Sequence, residues 1–316
     1  MRRRLILAAP ALLAAPARAD ELPAGPYRLV LGFSPGGGID TLARQLARRF
    51  ADATGKPWVV ENRSGAGGAI AAGTVARAPG DGTTLLLGEM GSIAIAPAVQ
   101  ANLGYDPLRD LPAVTLVGEQ PVVLVTNARG PADMAGLVAR ARAGEIRNGT
   151  AGVGNPTHLF GADLAQRLGV PIEAVHYRAG GGSAAVALLA DEVQIAFSAL
   201  GGALPQIRAG NYRALGTGDP RGRPELPGVP PVAASAPGFA ASFWFGLHAP
   251  AATPAPLVAA LSRALVAAMV EPAFAAQMAQ AGYGLRPGTP EQHASFVRAE
   301  TERLGAAARA AGLKPE

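Results

Sequence analysis

Two chemistries compete for the stretch "GFSPGGGID", residues 32–40. The spacing Gly32-Phe33-Ser34-Pro35-Gly36 matches the Gly-x-Ser-x-Gly elbow that presents a hydrolase's serine. That elbow needs the backbone N–H of the residue after the serine for its oxyanion hole, and here the residue is Pro35, which has none. The match also falls on the first strand pattern, and none of His158, His176, His248 and His293 has a neighbouring acid that singles it out as a base. The chain is therefore read as no enzyme and without a catalytic residue, and a cleft hydrolase using Ser34 remains the alternative. A dinucleotide site fares little better, because Thr41 stands where the third glycine should follow Gly36 and Gly38. No Gly-Lys-Ser/Thr loop occurs and no His/Asp/Glu group has metal-ligand spacing, so no cofactor and no metal are expected.

A glycine-rich turn that opens a helix can do something simpler. It exposes unpaired backbone N–H groups at the positive end of the helix dipole, which hold a carboxylate or phosphate without a basic side chain. "SPGGGID" is one such turn, offering Phe33, Ser34, Gly37, Gly38 and Ile39. "AGVGNPTHL" is another, with Gly154, and with Asn155 or Thr157 to cap the helix or touch the ligand. One loop per domain, facing across a cleft, would pinch both ends of a small dianion. For each loop alone, tight-turn chemistry explains the glycines equally well. Asp40 either braces its loop from the first helical turn or faces the cleft, where it would repel a carboxylate and attract an ammonium. His158 reads as a helix-start residue or a ligand, and Ser92 and Ser198 each follow a strand and so either line the cleft or serve a turn.

The elements that must position these loops alternate. "YRLVLGF" reads as a buried strand and "IDTLARQLARRFADATG" as a helix with Ile39, Leu42, Ala43, Leu46 and Phe50 on one face, ended by Gly55. Strand and helix patterns continue through "WVVEN", "AIAAGTVARA" and "TTLLLG", implying an α/β fold with parallel pairing. The rhythm breaks at "LPAVTLVGEQPVVLVTN", where two apolar runs meet at Gly118, and resumes beyond it. A proline-rich segment precedes "SFWFGLHAP", which would cross back, and helical patterns over 256–282 and 290–312 complete the chain. The expected domains are 20–118 with 241–316, and 119–240, joined by two hinge crossings around one cleft.

Residues 1–19 have the layout of a secretory signal peptide: Arg2, Arg3 and Arg4, an apolar run over 5–15 too short to span a bilayer, then Ala17-Arg18-Ala19 before Asp20. Arg2 and Arg3 leave a twin-arginine route open beside the general one. Losing the leader with Arg2, Arg3, Arg4 and Arg18 lowers the formal charge from +5 to about +1. No basic block with interleaved aromatics remains, so nucleic acid is not expected as a partner. The chain has no cysteine, which removes thiol catalysis and disulfides.

The ordered set "LVLGFSPGGGIDTLAR", "VVENRSGAGGAIAAGTVARAPGDGTTLLLG", "GYDPLRDLPAVTLVGEQPVVLV", "NPTHLFGADL", "VHYRAGGGSAAVALLADEVQIAF" and "AGYGLRPGTPEQHASFVRAE" resembles the Bug-type periplasmic solute-binding receptors of tripartite tricarboxylate transporters. The resemblance implies a two-domain periplasmic-binding-protein (Venus flytrap) fold, type II-like, with two hinge crossings. It also implies a monomer in the periplasm that takes a small carboxylate and works with membrane permease subunits. A di- or tricarboxylate, an acidic amino acid or an aromatic acid would be held by loop 33–40 at one end and loop 154–158 at the other. A ligand-sensing module for a membrane signalling partner is the remaining alternative. The chain departs from its relatives at Ser198 and Ala199, where an acidic or amide pair is common, and at Ile93 and Ala96, where His and Asn are common. Those positions are expected to set selectivity through a smaller or more apolar pocket middle.

Overall fold

A computed structural model describes residues 22–36, 38–177 and 181–314. Gly37 and the expected leader lie outside the described residues. Ten strands are described: β1 (Tyr27–Leu31), β2 (Trp58–Asn62), β3 (Thr84–Glu89), β4 (Ala113–Asn127), β5 (Arg147–Thr150), β6 (Glu173–His176), β7 (Ile195–Ala199), β8 (Tyr212–Thr217), β9 (Ser242–His248) and β10 (Gly284–Leu285). Their order is β2-β1-β3-β9-β4-β7-β5-β6, with β8 and β10 also paired to β4. The chain has the two-domain periplasmic-binding-protein architecture, and β4 belongs to both halves.

Strand β4 shows how. Its first part pairs antiparallel with β9 as far as Pro121 opposite Ser242, and its second part pairs with β7 from Val122 opposite Ala199 onward. A proline lacks the N–H that continues a ladder, so it suits the point where one sheet ends. The return path lies against the same point: Gly218 N–H donates to Val122 O and Ala241 N–H to Gly218 O. The two apolar runs around Gly118 are one strand of 15 residues. Gly118 sits at φ +156° beside a shift of register rather than at a chain break, because Gly284 O occupies the space a side chain would need.

Each half buries what its sequence pattern supplies. Strand β3, paired parallel with β1 and antiparallel with β9, is buried along its whole length. The helix Gly38–Thr54 lays Leu42, Ala43, Leu46, Ala47 and Phe50 on the sheet and stops at Gly55, whose φ of +66° costs glycine nothing. The pattern over 256–282 forms two helices, Ala255–Met269 and Pro272–Gln280, bent by 72°. Pro272 cannot continue the first helix, and Glu271 caps the second by accepting from Ala273 N and Phe274 N. Among the described residues no single helix is long and apolar enough to cross a membrane.

Candidate functional site

The site follows from where the parallel strands end. A cavity of about 310 Å³ lies beyond the carboxyl ends of β1, β3 and β5, between the two halves. Phe33, Ala66, Gly67, Glu89, Gly91, Ala96, Val99 and Gln100 line it from the first lobe, and Ala151, Val153, Gly154, Asn155 and Pro156 from the second. Open α/β sheets place ligands at this edge. Three larger grooves, of about 680, 610 and 360 Å³, lie elsewhere: one runs along residues 97–109 within the first lobe, one follows the back of the helix Pro156–Leu168, and one lies between residues 45–52 and 271–277. None of them lies between the strand ends of both lobes.

On the first lobe, the end of β1 and the turn after β2 touch backbone to backbone. A Cβ on Gly32 would stand 2.3 Å from Gly68 Cα, so only glycine lets the two loops share one wall. Asp40 is buried and braces this wall. Its carboxylate accepts from Gly36 N–H at 2.9 Å, from Arg44 at 2.9 and 3.0 Å, and from Asn62 Nδ2 at 2.9 Å. The Arg44 guanidinium, then the Gly36 N–H, hold its carboxyl down to about 2. Both carboxylate oxygens are thus engaged by Gly36, by Arg44 one turn along the helix and by Asn62 at the end of β2. Asn62 Nδ2 also donates to Phe33 O, fixing the phenylalanine at the cavity.

The second-lobe loop is built by its own cap. Asn155 Oδ1 accepts from Thr157 N and Oγ1, and Thr157 Oγ1 accepts from Ala151 N–H at 3.0 Å. Gly154, at φ +69°, donates its N–H to His158 Nδ1 at 3.2 Å. His158 is buried and meets His176 edge-on with ring centroids 4.7 Å apart. Burial, then the nearby His176, pushes the His158 pKa down, which keeps Nδ1 free to accept.

The remaining sequence-nominated residues scatter around this centre. Ser34 is exposed and its hydroxyl lies 3.1 Å from Ser64 Oγ. Gly38 begins its helix and accepts from Tyr283 Oη at 3.0 Å, and Ile39 packs at the edge of the first-lobe core. Ser92 is buried behind the cavity wall, as is Ile93. Ser198 and Ala199 end β7, half-buried, and are not among the cavity-lining residues. The cavity thus brings together Phe33, Gly154 and Asn155 with Ala96.

Glu89 went unrecognised in the sequence. It ends β3 with 7% exposure, accepting from Gly91 N–H at 2.6 Å and Ser92 N–H at 2.7 Å as the chain enters a turn of π-helix, Gly91–Ile95. Burial pushes its carboxyl up against the pull of these N–H bonds. The signal was a single charge in the otherwise apolar run "TLLLGEMGSIAIAP".

Residues 42–313 match the tripartite tricarboxylate transporter family receptor. The chain belongs to that family. It is 37% identical over 320 residues to Protein BugT of Bordetella pertussis, covering 98% of this chain and 96% of that one. Among solved structures, R. palustris Rpa4515 with adipate aligns at 30% identity with a TM-score of 0.83, covering 92% of this chain and 98% of that one. MatC from Rhodopseudomonas palustris with bound malate aligns at 30% identity and TM-score 0.78, covering 89% and 98%. The receptor is thus a solute-binding protein of the Bug type. Its family consists of periplasmic receptors that bind small carboxylates and work with transporter permeases.

Proposed function

We propose that this receptor captures a small carboxylate in the cavity between its lobes and delivers it to the permease of a tripartite tricarboxylate transporter. The observation that carries the reading is the cavity itself. Its lining comes from both lobes, and no lysine or arginine is among the described residues that form it. From the described lining residues other than Glu89, an anion there meets backbone dipoles and amide groups, as at other glycine-turn anion sites. Adipate and malate in the two neighbours support a carboxylate, without naming the one for this chain.

We assign contact to Phe33, Gly154 and Asn155 in the cavity wall and to Ser34, Gly38 and Ile39 along the adjoining helix start; Gly37, outside the described residues, is assigned with them from the sequence alone. Asp40, Ser92, Thr157 and His158 hold those loops in place, and Ser198 and Ala199 flank the far end. The domains are taken as 20–118 with 241–316, and 119–240, with the change of pairing partner after Pro121 close to the first boundary. Export before residue 20, a periplasmic monomer and no catalysis complete the reading.

A thermal-shift screen over mono-, di- and tricarboxylates, acidic amino acids and aromatic acids tests it. A ligand at a hundred times its dissociation constant adds about 2.7 kcal/mol of stability. A screen in which no acid raises the midpoint would refute the receptor reading. Turnover of any acid derivative that disappears in Ser34→Ala would replace it with the hydrolase.

A further inference from the structure

Among the described residues that line the cavity, Glu89 is the only charged one, and no basic side chain accompanies it. Its two oxygens each accept one backbone N–H, from Gly91 and Ser92. These are the donors that a ligand carboxylate would seek at the start of the helical segment 91–99, and the protein's own carboxylate has taken them. A carboxylate offers about four lone-pair sites, so Glu89 keeps acceptor capacity beyond these two bonds. At 7% exposure, little of that capacity is met by bulk water. Burying a charge in this way is costly unless something pairs with it.

The ligand can supply that partner. A plain dicarboxylate would set a second negative charge against the first-lobe wall, where low dielectric magnifies repulsion. An acid that also carries an ammonium would direct its carboxylate toward the second-lobe turn at Gly154 and Asn155 and its cation toward Glu89. Resting on the receptor reading above, we propose that Glu89 is the specificity residue of the cleft and recognises an amine, so that the preferred ligand is an amino acid rather than its amine-free counterpart.

Isothermal calorimetry with matched pairs tests this: L-glutamate against glutarate, and L-aspartate against succinate. The wild type is expected to bind at least one amino acid tenfold or more tighter than its partner, and Glu89→Gln, which keeps the shape and one acceptor, is expected to bring that ratio to about one or below. Equal binding within each pair by the wild type would overturn the proposal even if the variant does not fold. A folded Glu89→Gln protein with an unchanged ratio would overturn it as well. If the wild type binds only amine-free acids, the role of Glu89 falls and the receptor reading stands; if no acid of either kind binds in the broader screen, both fall.

Discussion

Asp40→Asn separates a loop brace from a ligand contact. Oδ2 of Asp40 accepts from Gly36 N and Arg44 Nε, and Oδ1 from Arg44 Nη2 and Asn62 Nδ2. Whichever way the asparagine amide is turned, its NH₂ faces two donors. The carboxyl lies nearly two units below the ordinary aspartate value, at about 2, which corresponds to about 2.5 kcal/mol if fully retained. The Arg44 side chain is 46% exposed, so solvent screening reduces this to roughly 1.5–2 kcal/mol. Urea unfolding at pH 7 should show that loss in the variant. Because the folded-state pKa is depressed, the wild-type advantage is complete above about pH 3.9 and disappears as the pH falls through about 2. Ligand affinity, measured by calorimetry with the best acid from the screen, should fall only as far as the loop loosens. A variant as stable as the wild type but with binding altered tenfold would refute the brace and place Asp40 in contact with ligand.

Gly154→Val should weaken ligand binding by at least tenfold: φ +69° disfavours a side chain by about 1–2 kcal/mol, and the new Cβ would stand 3.1 Å from Val99 Cγ2 across the cleft. Adding Val99→Ala should recover part of the affinity, and no recovery in calorimetry would show that backbone strain alone is responsible. Gly32→Ala should destabilise the fold or displace the cavity wall, because its Cβ meets the Gly68 backbone at 2.3 Å; an unchanged unfolding midpoint and unchanged affinity would contradict that close approach. His248 and His293 are buried with Nε2 atoms 3.3 Å apart, and burial holds His248 down to about 4 and His293 well below its usual value. In the unfolded chain both protonate near 6.5, so stability should be complete above that pH and fall between 6.5 and 4 by up to about 1.4 kcal/mol per unit for each histidine; a His293→Leu profile as steep as the wild type would refute this.

Much of the frame was legible because alternating apolar runs and glycine turns report local geometry directly. The helix Gly38–Thr54 and its stop at Gly55 follow from spacing alone. At Gly118 the sequence shows only that two apolar runs meet; that they form one strand with a bulge depends on Gly284 O, far along the chain. Periodicity ran through Pro272 because both helices bury a stripe, so the bend at Glu271 was visible only as capping chemistry. In the site, Gly154 and Asn155 could be found because a turn and a cap are adjacent in sequence. Glu89 left only a lone charge in an apolar run, since its burial depends on a π-turn folding the N–H groups of Gly91 and Ser92 back onto it. Ser198 was nominated by its place after a strand and, with Ala199, by departure from the family pattern; both end β7, outside the cavity lining.

The two sides of the molecule resist opening unequally. One apolar cluster runs through both lobes, joining Val30 and Met90 to Phe160 and Phe197 by way of Trp244 and Leu304. The helix Pro290–Ala310 of the first lobe packs on Pro156–Leu168 of the second. Separating that face would expose large side chains at about 25 cal/mol per Å² of apolar surface. On the cavity side the lobes approach through small groups: Gly154 beside Val99, and Gly201, whose Cα would lie 3.2 Å from a Cβ on Gly282. Little area is lost there when the lobes part. We expect motion about the crossing between Pro121 and Val122 and the return beside Gly218 and Ala241 to open the cavity while leaving the shared core intact. A ligand that bridges the lobes would then shift the balance toward the closed form by as much as its affinity for the two forms differs.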